Sequence, residues 1–249
     1  MSESTPTLQA PRPLFRTERR DNWWIGPLAT ALGLTIFGVY ALWAALQGDH
    51  YEWGPYLSPF YSPLFTPDWW PLSPAFLILW APLGFRGSCY YYRKAYYRSM
   101  FGIPPACAVG GIPHKYRGER ALLLFQNLHR YFLFFALILV VILSIDAIVS
   151  YRFPDGFGIG VGTIVLTLNA LFLAAFTFGC NSLRHLVGGN VDCYSCVSLG
   201  KTRYRLWHLV TRFNEHHMEW AWISLYWVGF TDLYIRLVSM GIITDLRIV

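Results

Sequence analysis

The chain has 249 residues, of which 55% are hydrophobic, 18% are aromatic and only 14% are charged. A soluble domain carries about 25% charged residues to cover its surface. The composition therefore excludes an intrinsically disordered chain, a disulfide-stapled secreted scaffold and a nucleic-acid binder. The net charge of +6 does not restore nucleic acid as a partner, because the basic residues are confined to segments between apolar stretches. We expect an integral membrane protein that lies in a lipid bilayer.

Residues 1–22 form a polar tail that includes Pro11 and Pro13. The tail lacks the apolar core of a cleaved signal peptide, so the helix that follows is expected to act as the insertion signal. Residues 23–249 are predicted to form one anchor domain without internal repeats.

Five apolar stretches in residues 23–249 are candidates for crossing a hydrocarbon core, which takes about 20 residues. They are Ile25–Leu46, Leu72–Phe85, Leu122–Ile148, Phe157–Cys180 and Leu209–Met240. The second is too short alone, and the tyrosines from Tyr90 to Tyr97 are expected to extend it as an amphipathic interfacial turn. The fifth begins amphipathically, so its apolar part is nearer Met218–Met240. We predict an all-α fold, an integral membrane bundle of five transmembrane helices.

The basic residues are concentrated on one side of these five helices. The loop 47–71 contains no Lys or Arg, and the turn 151–156 contains only Arg152. Because Lys and Arg accumulate in cytoplasmic loops, we predict a multi-pass plasma-membrane protein with a cytoplasmic N-terminus and a C-terminus outside. The residues on the cytoplasmic side are Arg12, Arg16, Arg19, Arg20, Arg86, Arg93, Lys94, Arg98, Lys115, Arg117, Arg120, Arg184, Lys201, Arg203, Arg205 and Arg212.

Charged residues inside a span need a partner. Asp232 and Arg236 are four residues apart in the fifth helix, so their side chains can pair on one face. We interpret them as a structural ion pair.

The cysteines and histidines lie at one depth, near the predicted cytoplasmic face. They are Cys89, Cys107, His114, His129, Cys180, His185, His208, His216 and His217, whereas His50 lies on the other side. Each alone is more commonly a packing or hydrogen-bonding residue. Their convergence from several helices is what a cofactor in a bundle core requires.

The pair Cys193-Tyr-Ser-Cys196 has the spacing of half a metal site, but no second such pair accompanies it. Alone, the pair supplies half of the ligands that a metal or iron–sulfur site needs. No disulfide is expected, because all five cysteines face the predicted reducing side.

Two metal centres fit the convergent residues. A b-type haem needs two axial imidazoles, and His129 could pair with His217 or His185. A Rieske-type [2Fe–2S] cluster takes two cysteines and two histidines, which Cys89, Cys180, His129 and His185 could supply. The cluster is the leading prediction because it uses both residue types, although the local Cys-x-His and Cys-x-x-His pattern is absent. The reserve ligands are Cys107 and His217.

The chain resembles a known family in four segments, GFRGSCYYYRKAYYRSMFGIPPACAV at 84–109, QNLHRYF at 126–132, CNSLRHLVGG at 180–189 and NEHHMEWAW at 214–222. The family is the SdhC-type, cytochrome-b-like membrane-anchor subunit of actinobacterial succinate dehydrogenases. The resemblance implies a five-helix anchor that docks the iron–sulfur subunit, joins a flavoprotein, and passes electrons to a quinone, either menaquinone or ubiquinone. The outer-side histidines of di-haem anchors have no counterpart here, which favours another centre.

Arg93, Tyr97 and Trp220 are predicted neighbours of the quinone, from their interfacial positions alone; an ordinary aromatic belt is the alternative. The basic loops could dock an acidic partner, although positive-inside bias explains the same charge. The predicted function is an electron relay from the soluble iron–sulfur subunit to the quinone, without a catalytic residue of its own. The remaining alternatives are a haem b anchor with His129 as axial ligand and a cofactor-free structural anchor.

Overall fold

The structure is a computed structural model of the chain, and it describes residues 13–111, 119 and 121–249. Six residues named above, Pro11, Arg12, His114, Lys115, Arg117 and Arg120, lie outside the described residues.

Eight α-helices make up most of the described chain. They are α1 (Ile25–Gln47), α2 (Ala75–Ser88), α3 (Tyr90–Met100), α4 (Leu122–Val149), α5 (Val161–Phe178), α6 (Asn181–Arg184), α7 (Gly200–Glu215) and α8 (His217–Ser239). A π-helical turn (His185–Gly189) and a 3₁₀ turn (Tyr194–Cys196) lie between α6 and α7. The strands form two small antiparallel hairpins, β1 (Glu52–Trp53) with β2 (Tyr56–Leu57) and β3 (Arg152–Phe153) with β4 (Gly156–Phe157). Helix accounts for 63% and strand for 5%, so the protein is mostly helical, as predicted.

Three of the described helices, α1, α4 and α5, are long and apolar enough to cross a membrane. The other two predicted spans differ from them for separate reasons. Helix α2 has 14 residues, and at about 1.5 Å per residue it is shorter than a hydrocarbon core. Helix α8 has 23 residues but carries Glu219, Asp232 and Arg236. The count of five spans therefore stays a prediction.

Several helix boundaries differ from those predicted. The tyrosines from Tyr90 to Tyr97 form the helix α3 rather than a turn, because Cys89 has an extended backbone (ψ 125°) that ends α2. The predicted fifth helix is two helices, α7 and α8, which meet at the non-helical residue His216 (φ −106°, ψ 25°). Helix α5 begins at Val161 because the preceding residues form the second hairpin.

Five helices, α1, α2, α4, α5 and α8, run alternately between two ends of the bundle. We call the end with Cys89, Cys180 and the start of α4 the cysteine end, and the end with both hairpins the hairpin end. The N-terminal segment lies at the cysteine end, where Thr17 pairs with Val109. The C-terminal segment lies at the hairpin end, where Gly160 pairs with Arg247.

The hairpin end is held by buried polar groups. Arg236 Nε lies 3.0 Å from Asp232 Oδ2, which confirms the predicted ion pair, and Tyr40 donates a hydrogen bond of 2.6 Å to the same carboxylate. Burial raises the pKa of Tyr56 to about 12. Its hydroxyl therefore stays protonated and donates to Asp245 at 2.7 Å, which fixes the C-terminal segment against the first hairpin.

Candidate functional site

Two buried thiols occupy equivalent places in the chain at the cysteine end. Cys89 lies between α2 and α3, and Cys180 lies between α5 and α6; their side chains are 5% and 2% exposed. Both residues have extended backbones, with ψ of 125° and 133°, and both precede the first turn of a helix. These breaks direct the two thiols into one hydrophobic cluster, which also contains Phe85 and Phe176.

The imidazole of His129 contacts one of these thiols. Its Nε2 lies 3.1 Å from Cys180 Sγ, and its Nδ1 lies 3.0 Å from the carbonyl oxygen of Phe85. Because a carbonyl oxygen only accepts, Nδ1 carries the proton and Nε2 presents its lone pair to the sulfur. The ring also stacks on Phe85, with centroids 4.5 Å apart, so the imidazole is held in one orientation.

A second imidazole, that of His217 at the start of α8, packs into the same cluster. Its ring stacks on Phe176 at 5.1 Å, and Phe176 in turn contacts Phe85 at 5.5 Å. The Nδ1 atom of His217 is buried without a hydrogen-bond partner. His129 and His217 interact electrostatically, as do Cys89 and Cys180. A buried nitrogen without a partner is costly, so His217 has a free donor atom for a ligand.

The other predicted ligands lie elsewhere. His185 begins the π-helical turn and is exposed, so it does not join the buried donors. Cys107 is also exposed. Cys193 and Cys196 form a disulfide, and the expectation that no disulfide forms was wrong. Among the described residues, no group of three or more His, Cys, Asp or Glu side chains is close enough to hold a metal ion.

An apolar cavity of about 550 Å³ lies beside the cluster, between α1, α2, α4, α5 and α8. Among its described lining residues Arg86 is the one charged side chain. The guanidinium of Arg86 donates to Tyr92 Oη and, at 2.9 Å, to Ser224 Oγ. It also lies 4.5 Å above the ring of Phe176. Sequence reasoning missed this role, because Arg86 looked like one more basic residue of a cytoplasmic loop.

The three residues predicted to neighbour the quinone do not line this cavity. Arg93 is buried and pairs with Glu119, with Nε 2.6 Å from Oε1, and Tyr97 donates to the same carboxylate at 3.4 Å. Trp220 packs beside Phe172, and its Nε1 is buried without a partner. The role of these three residues stays a prediction.

The fold defines a helical-bundle membrane protein with thiols and imidazoles buried at one end, next to an apolar cavity. The family described as "Actinobacterial succinate dehydrogenase subunit SdhC" matches residues 25–241. A chain in the solved structure "Mycobacterium smegmatis Sdh1 complex in the apo form" is 41% identical, with a TM-score of 0.83 and 98% of each chain covered. Comparison with curated proteins gives no match.

The chain therefore belongs to the family of actinobacterial succinate dehydrogenase subunit SdhC, which confirms the resemblance seen in the sequence. It is a membrane-anchor subunit of a succinate dehydrogenase complex. Its partners are the flavoprotein and iron–sulfur subunits of that complex.

Proposed function

We propose that this subunit relays electrons from the iron–sulfur subunit to a quinone through a Rieske-type [2Fe–2S] centre at the cysteine end. The observation that carries the proposal is the 3.1 Å contact between His129 Nε2 and Cys180 Sγ inside a cluster that also holds Cys89. The ligand set that we propose is Cys89, Cys180, His129 and His217. His217 replaces the predicted His185, because its buried Nδ1 lacks a partner whereas His185 is exposed.

The donor set has the chemistry that such a centre needs, two thiolates for one iron and two imidazoles for the other. Because no three of these four side chains stand close enough together to hold a metal ion, binding of the centre requires them to move toward one another. When bound, the centre supplies one-electron transfer. The chain orients the ligands: Phe85 holds Nδ1 of His129 by its carbonyl oxygen and holds the ring by stacking. Such a second hydrogen bond fixes the imidazole tautomer and leaves the opposite nitrogen for the metal.

The cavity next to this cluster fits a quinone. Ligand cavities commonly measure about 300–1,000 Å³ and combine apolar walls with a few polar groups, and this one has a volume of about 550 Å³. Arg86 donates to Tyr92 Oη, to the carbonyl oxygen of Ala221 and to Ser224 Oγ. The remaining guanidinium donors are available to a quinone carbonyl oxygen, and the positive charge stabilises the negative charge that the oxygen acquires on reduction. The proposed electron acceptor is a quinone, either menaquinone or ubiquinone.

The basic cysteine end suits the docking of the iron–sulfur subunit on the cytoplasmic side. Lys94 and Arg98 of α3 and Lys201, Arg205 and Arg212 of α7 are exposed there. An acidic partner would be attracted by this charge, and positive-inside bias favours the same placement. The proposed orientation therefore puts the cysteine end in the cytoplasm and the hairpin end outside.

A haem b centre with His129 as axial ligand fits the structure less well. Such a haem takes imidazole ligands, so it leaves the buried thiols of Cys89 and Cys180 without a role. A cofactor-free anchor would leave the unpaired Nδ1 of His217 unexplained. Both alternatives are outcomes of the following experiment.

The test compares His217→Ala with His185→Ala in the purified complex. We measure iron, acid-labile sulfide and the EPR spectrum after reduction, and we take the difference from the unmodified complex because the iron–sulfur subunit contributes clusters of its own. His217→Ala should lose about two irons, about two sulfides and a signal of low average g, as expected for one Rieske-type cluster, while His185→Ala retains them. A Soret and alpha band in the reduced complex would support haem instead. If iron, sulfide and spectra are unchanged in His217→Ala, Cys89→Ala and His129→Ala, the result would support a cofactor-free structural anchor.

A further inference from the structure

A disulfide occupies the loop that joins the π-helical turn to α7. Cys193 and Cys196 are bonded, and Cys196 is exposed whereas Cys193 is partly exposed. In the proposed orientation this loop faces the cytoplasm, where dithiol systems keep most cysteines reduced. A disulfide on that side is therefore expected to be redox-active rather than a permanent staple.

The spacing of the two cysteines argues against a purely stabilising role. The bond joins residues only three positions apart, and a cross-link that closes so short a loop removes less entropy from the unfolded chain than one that closes a long loop. Exposed disulfides are also those that thiolates reach and that act as labile or regulatory bonds. What the bond fixes is the local shape of the 3₁₀ turn Tyr194–Cys196.

Tyr194, which lies inside the disulfide ring, attaches this turn to its surroundings. Its hydroxyl donates to the carbonyl oxygen of Gly188 at 2.8 Å, and its ring meets Tyr204 of α7 edge-on at 5.3 Å. The fit is close: a Cβ at Gly188 would lie 2.8 Å from the Tyr194 hydroxyl, and a Cβ at Gly200 would lie 1.7 Å from the Tyr194 carbonyl oxygen. The bonded turn therefore holds the loop against α7.

The same loop is linked to the buried cluster through α6. Arg203 of α7 donates to the carbonyl oxygen of Val187 at 3.0 Å, and Arg184 donates to Thr211 at 3.0 Å. Helix α6 starts directly after Cys180. These hydrogen bonds connect the loop, the π-helical turn and α7 to the helix that begins next to the thiol of Cys180.

We propose that Cys193 and Cys196 form a reversible thiol–disulfide switch, which a cellular protein dithiol opens and which clasps the loop 190–199 against α7 when closed. A thiolate of the dithiol attacks the exposed sulfur of Cys196, the S–S bond breaks, and Cys193 leaves as a thiolate that takes a proton. The second thiol of the dithiol then attacks the mixed disulfide and releases Cys196. Two electrons and two protons pass to the chain, and the dithiol becomes a disulfide; the reverse exchange with a protein disulfide closes the switch. This inference rests on the proposed function only in placing the loop 190–199 on the cytoplasmic side of the membrane.

The first experiment determines the redox state of these cysteines in the whole complex. Membranes are acid-quenched, free thiols are alkylated, and the cysteines are identified by mass spectrometry before and after treatment with thioredoxin, thioredoxin reductase and NADPH. The bond should be present before treatment, and afterwards both Cys193 and Cys196 should be alkylated. Free thiols in the quenched sample, or a bond that resists thioredoxin but opens in concentrated dithiothreitol under denaturing conditions, would overturn the proposal.

The second experiment measures hydrogen exchange of residues 188–199 in the oxidised and reduced complex. Reduction should speed exchange at least several-fold. Tyr194→Phe keeps the disulfide but removes the bond to Gly188, so its oxidised loop should exchange as fast as the reduced unmodified loop. In a Cys193→Ser/Cys196→Ser variant, hydrogen exchange of these residues should be fast and should not change when the reductant is added. Equal exchange in both redox states of the unmodified complex would show that the bond does not clasp the loop, whether or not an iron–sulfur signal is found.

Discussion

The buried ion pair of α8 shows how charged side chains are stabilised inside the bundle. Asp232 is 0% and Arg236 is 1% exposed. The carboxylate accepts hydrogen bonds from Tyr40 and Ser58, and the guanidinium also donates to the carbonyl oxygen of Ala44 at 3.0 Å. Because each charge has partners, the desolvation cost is offset by contacts from α1 and from Ser58, directly after the first hairpin. The pair thereby fixes α8 against those elements.

Removing one member of this pair should therefore be far worse than removing both charges. Arg236→Met leaves the buried carboxylate of Asp232 without its counter-charge, so the free energy of unfolding should fall by about 3–5 kcal/mol. In Asp232→Asn/Arg236→Met both charges are absent, and most of that loss should be recovered. The check is the thermal denaturation of the purified complex with each variant. If the double variant is less stable than Arg236→Met, the argument from charge compensation fails.

Arg86 gives a prediction for quinone reduction. Arg86→Gln removes the positive charge at the polar end of the cavity, so the KM for quinone should rise about tenfold, the effect of losing one hydrogen bond from a charged donor. Electron transfer from succinate to a water-soluble dye that accepts electrons upstream of the membrane should be unchanged. Lys94→Gln is the matched control, because Lys94 is exposed on α3. An unaltered KM in Arg86→Gln would place the quinone elsewhere, with Arg93, Tyr97 and Trp220 as the remaining candidates.

Sequence alone could predict which side chains lie together where this depends only on their depth in the membrane or their spacing along a helix. Asp232 and Arg236 were paired from their separation of four residues, and Cys89, Cys180 and His129 were grouped by their depth. The choice between His185 and His217 could not be made in this way. This choice depends on which side chains face the core after a helix is interrupted. No Gly or Pro in the sequence indicates the interruption at His216.

At the scale of elements, helix breaks do more to shape the cysteine end than helix lengths. Two breaks, at Cys89 and Cys180, give extended backbone within otherwise helical segments, and a third at His216 divides α7 from α8. Apolar periodicity located the apolar helices but did not reveal these breaks, because it follows hydrophobicity alone and ignores the weak helix formers beside them, such as Gly87 and Ser88 before Cys89 and Gly179 before Cys180. The hairpins of two-residue strands were missed for a similar reason, since such short strands leave no alternation to read.

The contact of α2 with α4 gives a prediction at this scale. A Cβ at Gly84 would lie 2.2 Å from the ring of Phe132, whereas a Cβ at Gly87 would meet nothing within 4 Å. Both residues belong to α2, so the change of helix propensity is the same for Gly84→Ala and Gly87→Ala. Overpacking should cost Gly84→Ala about 1–3 kcal/mol, seen as a lower Tm of the complex, while Gly87→Ala keeps or raises it. Equal Tm values for the two variants would mean that α2 does not pack on α4 at Gly84.

On the scale of the whole molecule, the two ends of the bundle differ in charge and in secondary structure. Exposed basic residues of α3 and α7 lie at the cysteine end, and the acidic first hairpin and the C-terminal segment lie at the other. Composition predicted a membrane protein, and the positions of Lys and Arg along the chain predicted that one end of the bundle is basic. The number of spans was harder to predict, since α2 is short and α8 carries charges, so neither resembles a simple apolar span.

The orientation can be tested by labelling single cysteines in right-side-out membrane vesicles. In a background with Cys107, Cys193 and Cys196 changed to Ser, Asp68→Cys reports the loop between α1 and α2, and Lys201→Cys reports α7; both positions are exposed. Because Lys and Arg favour the cytoplasmic side, a membrane-impermeant maleimide should label Asp68→Cys at once. Lys201→Cys should be labelled only after the vesicles are opened. Labelling of both positions in sealed vesicles would mean that α1, α2, α4, α5 and α8 do not all cross the bilayer. Labelling of Lys201→Cys alone would mean that the protein has the opposite orientation in the membrane.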